Sequence, residues 1–120
     1  MKTGIIVFGH GSSVESANEA VRIIARQAAE HGAWDLYETA FLECAPLLSD
    51  AVAALVSRGA KEILVLPYFL TLGIHLQRDL PKLVTSLSSE YGLAIHVTPP
   101  LDGHAQLSRI LVERAKDAVL

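Results

Sequence analysis

Four short apolar runs recur along the 120-residue chain, TGIIVFG, WDLYETAFLE, EILVLPYF and LAIHVTPP, and each is followed by a longer amphipathic segment. Short runs rich in β-branched and aromatic residues read as strands, whereas apolar residues spaced by three and four read as helices. A chain that alternates the two must lay each helix back on the sheet it has just left. The connections are then right-handed crossovers, the strands run parallel, and helices cover both faces. The expected fold class is α/β: residues 1–120 form one three-layer α/β/α domain around a four-stranded parallel sheet, in the order β-α-β-α-β-α-β-α.

The details follow from the same patterns. TGIIVFG is apolar without alternation, as in a central strand covered on both faces. Val14, Ala17, Val21, Ile24, Ala25 and Ala28 mark a first helix from Ser13 to His31, with Ser12 and Ser13 as N-cap candidates and Gly32 beyond its end. The second strand is expected to end near Leu42. Pro46 suits the first turn of a second helix that carries Leu48, Ala51, Val52 and Leu55 and ends at Gly59. A third helix carries Leu80, Leu83, Val84 and Leu87. Because proline fits only the first turn, Pro81 sets its start near Arg78 and leaves LTLGIH as a loop. Leu107, Ile110, Leu111 and Ala115 mark the last helix.

Composition narrows the function. The net charge of −3 comes from interspersed acids and bases with no basic run, which excludes a nucleic-acid partner. The longest apolar stretch is broken by Pro67 and falls short of the ~20 residues that cross a membrane, and MKTGIIVFGHG lacks the body of a signal peptide. A soluble cytoplasmic protein is expected, with no membrane partner. The single cysteine, Cys44, excludes an internal disulfide and a cysteine-based zinc site, and reads as a small buried apolar residue.

Ligands of open parallel sheets bind beyond the carboxyl ends of the strands. His10, Glu43 and His75 follow three successive strand ends, so one crevice can gather them. Imidazole and carboxylate suit a divalent first-row metal, although no local ligand motif links the three residues. The bland readings stand beside this one: Glu43 favours a helix start, His31 complements a helix C-terminus, His96 is a sheet residue and His104 a helix-start residue. The turn FGHGSS also reads as an anion cradle, but it matches neither the P-loop nor the dinucleotide fingerprint. Gly9 stands where a histidine phosphatase carries arginine, and no nucleophile elbow of a serine hydrolase occurs.

GHGS after the first strand, AFLECAPLLSDAV at the second crossover and LPYFLTLGIHLQRDLP after the third strand together resemble the short-form sirohydrochlorin cobaltochelatases, a class II tetrapyrrole metal chelatase family. The resemblance covers about the first 100 residues. It implies insertion of Co²⁺, or of Ni²⁺ or Fe²⁺, into sirohydrochlorin without ATP or any cofactor beyond the substrate metal. It also implies a homodimer that holds the macrocycle between protomers. Carried onto matching positions, His10 and His75 handle the metal, and His10, Glu43 and His75 are catalytic. Gly11, Ser12, Ser13, Phe69, Leu70, Thr71, Gly73 and Arg78 bind the substrate, with Arg78 or Lys82 and the N–H groups of residues 11–13 meeting its carboxylates.

Overall fold

Ile5 to Phe8 are buried on both sides of the first strand because each alternate side chain enters a different helical layer. The computed structural model, which describes residues 2–119, contains β1 (Thr3–Gly9), α1 (Glu15–Gly32), β2 (Leu36–Phe41), α2 (Leu48–Ser57), β3 (Glu62–Pro67), α3 (Ile74–Tyr91), β4 (Ala94–Val97) and α4 (Ala105–Ala118). All strands are parallel in the order β2-β1-β3-β4, which makes β1 central as its sequence implied. The α/β class and the alternating element order agree with the sequence. Among the described residues no helix is long and apolar enough to cross a membrane.

The two faces of the sheet are unequally covered. Ile6 and Phe8 of β1 join Ile63 and Val65 of β3, Leu48, Val52 and Leu55 of α2, and Leu80, Val84 and Leu87 of α3 in one continuous core. Burying a side chain of this size contributes about 1.5–3 kcal/mol, so this face carries most of the hydrophobic stabilisation. On the other face α1 presents mainly the small buried residues Ala25 and Ala29, and Leu64 and Leu66 of β3 stay half-buried.

Several boundaries differ from the sequence expectations. α1 starts at Glu15 rather than Ser13, because the Ser12 hydroxyl accepts the Val14 N–H and the Asn18 side chain engages the Ser12 backbone, holding this segment as a turn. Its end is marked by Ala33 in the left-handed region, φ 53°, rather than by Gly32. Gly32 serves space instead, since a Cβ there would lie 2.5 Å from the Trp34 indole nitrogen.

Pro46 lies outside α2. Its carbonyl accepts the Phe41 N–H at 2.8 Å, folding residues 42–46 back on the end of β2, and Asp50 caps the helix by accepting the Leu47 N–H. α3 starts at Ile74, one turn before the expected Arg78, and contains Pro81. Its start is set by Gly73, whose carbonyl takes the Gln77 N–H, and by the Gln77 side chain on the Leu72 carbonyl. Pro81 sits on the exposed side, where water can reach the unbonded carbonyl one turn earlier, while Leu80, Val84 and Leu87 pack inward. The stripe on α4 is present but none of it is fully buried: Leu107 is half-buried, Ile110 is 45% and Leu111 70% exposed. The molecule is correspondingly long, 54 × 32 × 28 Å, with a radius of gyration of 15.4 Å against the ~14 Å of a compact domain this size.

Candidate functional site

The turn after β1 and the loop after β2 extend the pairing of their strands. Leu42 N–H donates to the Gly9 carbonyl and Glu43 N–H to the His10 carbonyl, both at 3.0 Å. Gly11 makes the close approach possible: its φ of +87° suits glycine, and a Cβ would meet Cys44 Sγ at 2.9 Å and Phe41 Cβ at 3.0 Å. Cys44 is therefore a half-buried packing residue against this turn.

This zipper brings His10 and Glu43 together. His10 Nε2 lies 3.6 Å from Glu43 Oε1, with the two side chains 58% and 62% exposed. His10 Nδ1 is 3.0 Å from the Gly11 carbonyl, which can only accept, so Nδ1 donates and, in the neutral ring, Nε2 has the lone pair. Two electron-rich atoms thus face one small gap, and a proton or a metal ion placed between them is attracted by both. The Phe69 ring stands edge-on to the imidazole, 6.3 Å between centroids, and packs in turn against Phe8.

His75 is not in a loop but in the first turn of α3, exposed. Its Nδ1 faces the Arg78 guanidinium at 3.3 Å. A guanidinium only donates, so here Nδ1 accepts and Nε2 carries the proton. Arg78 also bonds Asp79 at 2.9 Å, which holds the Asp79 carboxyl below its ordinary range. Among the described residues no three His, Cys, Asp or Glu side chains stand close enough to hold a metal, so His75 is not gathered with His10 and Glu43.

The remaining candidates divide by position. Ser12 N–H donates to Asn18, while Gly11 and Ser13 share the His10 turn. Leu70 and Thr71 are exposed, and Gly73 caps α3. Phe69 and Leu70 line an apolar trough of about 510 Å³ with Tyr68, Leu101, Leu107 and Ile110. His104, at its edge, caps α4 by accepting the Gln106 N–H, as its expected helix-start position implied. His10 and Glu43 do not line the trough, and Phe69 links the two.

Asn18 is a site residue that the sequence reading did not single out. It is 5% exposed, and its side chain accepts the Ser12 N–H and donates to the Ser12 carbonyl, both at 2.9 Å. A signal was present: it stands next to Ala17, four residues after Val14 and three before Val21, so it shares the stripe of α1 that is otherwise apolar.

Residues 4–118 match the family described as CbiX. The chain is 32% identical over 113 residues to the chloroplastic sirohydrochlorin ferrochelatase of Arabidopsis thaliana, covering 92% of this chain and 50% of the relative. It is 30% identical over 117 residues to the sirohydrochlorin cobaltochelatase of Sulfolobus acidocaldarius, covering 97% and 92%. It spans only 39–57% of the length of several curated relatives. In three dimensions it resembles the sirohydrochlorin chelatase SirB of Bacillus subtilis in complex with cobalt, with a TM-score of 0.90, 28% identity, and 98% of this chain covering 51% of that one.

Proposed function

Because the chain belongs to the CbiX family, we propose that it inserts a divalent metal ion into sirohydrochlorin, with Co²⁺ as the physiological metal. The observation that carries this reading is the His10–Glu43 pair, whose lone pairs face one gap at 3.6 Å. Insertion of M²⁺ releases two protons from the pyrrole nitrogens, so the reaction needs an exchangeable hold on the ion and a base beside the macrocycle. A pair of neutral imidazole and carboxylate supplies both near neutral pH, and it needs neither ATP nor a resident cofactor.

His10 and Glu43 deliver the metal and receive the protons. Arg78 is the natural partner of a substrate carboxylate; on leaving His75 for that carboxylate it frees the His75 Nδ1 lone pair for a contact of its own with the bound macrocycle or metal, apart from the His10–Glu43 pair. In this reading Gly11, Ser13, Phe69, Leu70, Thr71 and Gly73 supply the surface against which the macrocycle rests. The ferrochelatase name of the Arabidopsis relative supports a second reading, in which Fe²⁺ is the metal. Imidazole and carboxylate do not by themselves select between these metals.

A homodimer completes the proposal. The exposed Ile110 and Leu111 of α4 form an apolar face beside the trough, and SirB, of which this chain matches 51%, is about twice as long. A second copy seated on this face would cover it.

The test mixes purified protein, sirohydrochlorin and Co²⁺, Fe²⁺ or Ni²⁺ without oxygen and follows the absorbance change of insertion. Acceleration over the uncatalysed rate is expected, greatest with Co²⁺. No acceleration with any metal rejects the chelatase reading in favour of a non-catalytic metal or tetrapyrrole carrier.

A further inference from the structure

We propose that Asn18 is a positioning residue for His10: its buried carboxamide clamps the Ser12 peptide groups and so fixes the direction in which the turn presents the imidazole to Glu43. The turn needs such a clamp. His10 is exposed, and the next residue, Gly11, carries no side chain that restricts its backbone. On the upstream side the His10 carbonyl is held by the Glu43 N–H. On the downstream side the polar side-chain bonds to residues 11–14 are His10 Nδ1 on the Gly11 carbonyl, Ser12 Oγ on the Val14 N–H and the two bonds from Asn18 to Ser12.

The chemistry of residue 18 is hard to explain as packing. A buried amide costs free energy unless its donors and acceptor are satisfied, and the three-four spacing of α1 offers this position to an apolar side chain. Here the amide is satisfied by one strand-to-helix turn. Its oxygen takes the Ser12 N–H, and its nitrogen donates to the Ser12 carbonyl at 2.9 Å and to the Glu15 carboxylate at 3.3 Å. Because the amide grips donor and acceptor of the same residue, it resists rotation of both peptide planes that flank Ser12. A single cap would resist one. The Ser12 N–H that Asn18 holds belongs to the same peptide group as the Gly11 carbonyl, which faces His10 Nδ1 at 3.0 Å, so movement of that peptide turns the imidazole of the exposed 3.6 Å pair.

The role in catalysis rests on the chelatase reading, whereas the effect on His10 does not, and the experiment separates them. Asn18→Ala removes both bonds; Asn18→Asp keeps the shape and the acceptor but replaces the donor to the Ser12 carbonyl by a second acceptor. In the full-length protein, NMR follows the His10 ring protons, their proximity to Glu43, and their paramagnetic broadening by added Co²⁺. Both variants are expected to lose the His10–Glu43 proximity signal and to weaken Co²⁺ binding at His10 at least fivefold, while the signals of β1 and β3 keep their wild-type pattern. If either variant is folded and His10 keeps its proximity to Glu43 and its Co²⁺ affinity, the proposal is overturned.

Insertion kinetics add a second reading. Asn18→Ala is expected to lower kcat about tenfold with little change in KM for sirohydrochlorin, and to lower it no further when His10→Ala is already present. Additive losses in the double variant would mean that Asn18 acts on general stability and not through His10. A wild-type protein without insertion activity rejects the chelatase reading, and the NMR result still decides the role of Asn18.

Discussion

Replacing Gly11 by alanine tests the geometry of the site at its tightest point. If the turn keeps its position, the new methyl must live at φ +87°, 2.9 Å from Cys44 Sγ and 3.0 Å from Phe41 Cβ. Backbone strain of this kind costs about 1–3 kcal/mol, and overpacking a filled site about 1–3 more, giving roughly 2–6 kcal/mol. The alternative is to open the zipper. That gives up the bonds from Leu42 to Gly9 and from Glu43 to His10, a net loss of about 0.5–1.5 kcal/mol each, or roughly 1–3 in total. Opening is cheaper because the residues that move, 42 and 43, are exposed, whereas Phe41 is fully buried and cannot yield. Gly11→Ala should therefore reduce stability by only about 1–3 kcal/mol in urea unfolding, with an unchanged m-value, while separating His10 from Glu43 and lowering the insertion rate by well over tenfold. Cys44→Ala in the same chain removes the nearest atom and should restore part of both. A loss of stability without loss of rate, or no rescue by Cys44→Ala, would refute the reasoning.

Other perturbations address separate parts of the structure. His10→Ala and His75→Ala should each lower the insertion rate at least tenfold, about 1.4 kcal/mol of barrier, with the circular dichroism spectrum unchanged; wild-type rates would remove either residue from the mechanism. Pro81→Ala should raise the unfolding free energy measured in urea by about 2 kcal/mol, because a helical N–H is gained and only up to about 1 kcal/mol of unfolded-state entropy opposes it; a loss of stability would mean that the proline is required for the path of α3. Arg22, bonded to Glu15, holds that carboxyl below its usual range, chiefly through the hydrogen bond. A lowered folded-state value stabilises above the unfolded one and is lost as the pH falls through the folded one. The melting-temperature difference between wild type and Arg22→Gln should therefore be present at neutral pH, vanish on the acid side of the carboxylate range and shrink in high salt. Leu111→Asp on α4 should leave a folded monomer in sedimentation at micromolar concentration; an unaltered dimer would place the interface elsewhere.

The parts of the fold that depend on local pattern were legible in the sequence. β1 and β3 announced themselves because their runs are apolar on consecutive positions, and parallel pairing then placed His10 and Glu43 at neighbouring strand ends. What escaped depends on partners distant in sequence. Pro81 misplaced the start of α3 because a local rule about proline was outweighed by the inward packing of Leu80 and Val84 and the cap at Gly73. That error put His75 in a loop, when its neighbour in space is Arg78 on the same helix. The stripe on α4 correctly signalled a helix, but periodicity reports a face and not what covers it. Asn18 was overlooked because a polar residue in a helix ordinarily faces water, and only the path of the preceding turn gives its amide something to hold.

The unequal covering of the two sheet faces has a consequence for the order in which the molecule comes apart. Hydrogen exchange should be slowest in β1 and β3, whose amides are paired inside the sheet under the α2–α3 layer, and fastest in α4, which has no fully buried side chain. His10 stands one residue beyond the slow end of that range and borrows its rigidity from it. The C-terminal helix can then fray and re-form many times for each excursion of the His10 turn, so the two regions can keep separate clocks within one small domain.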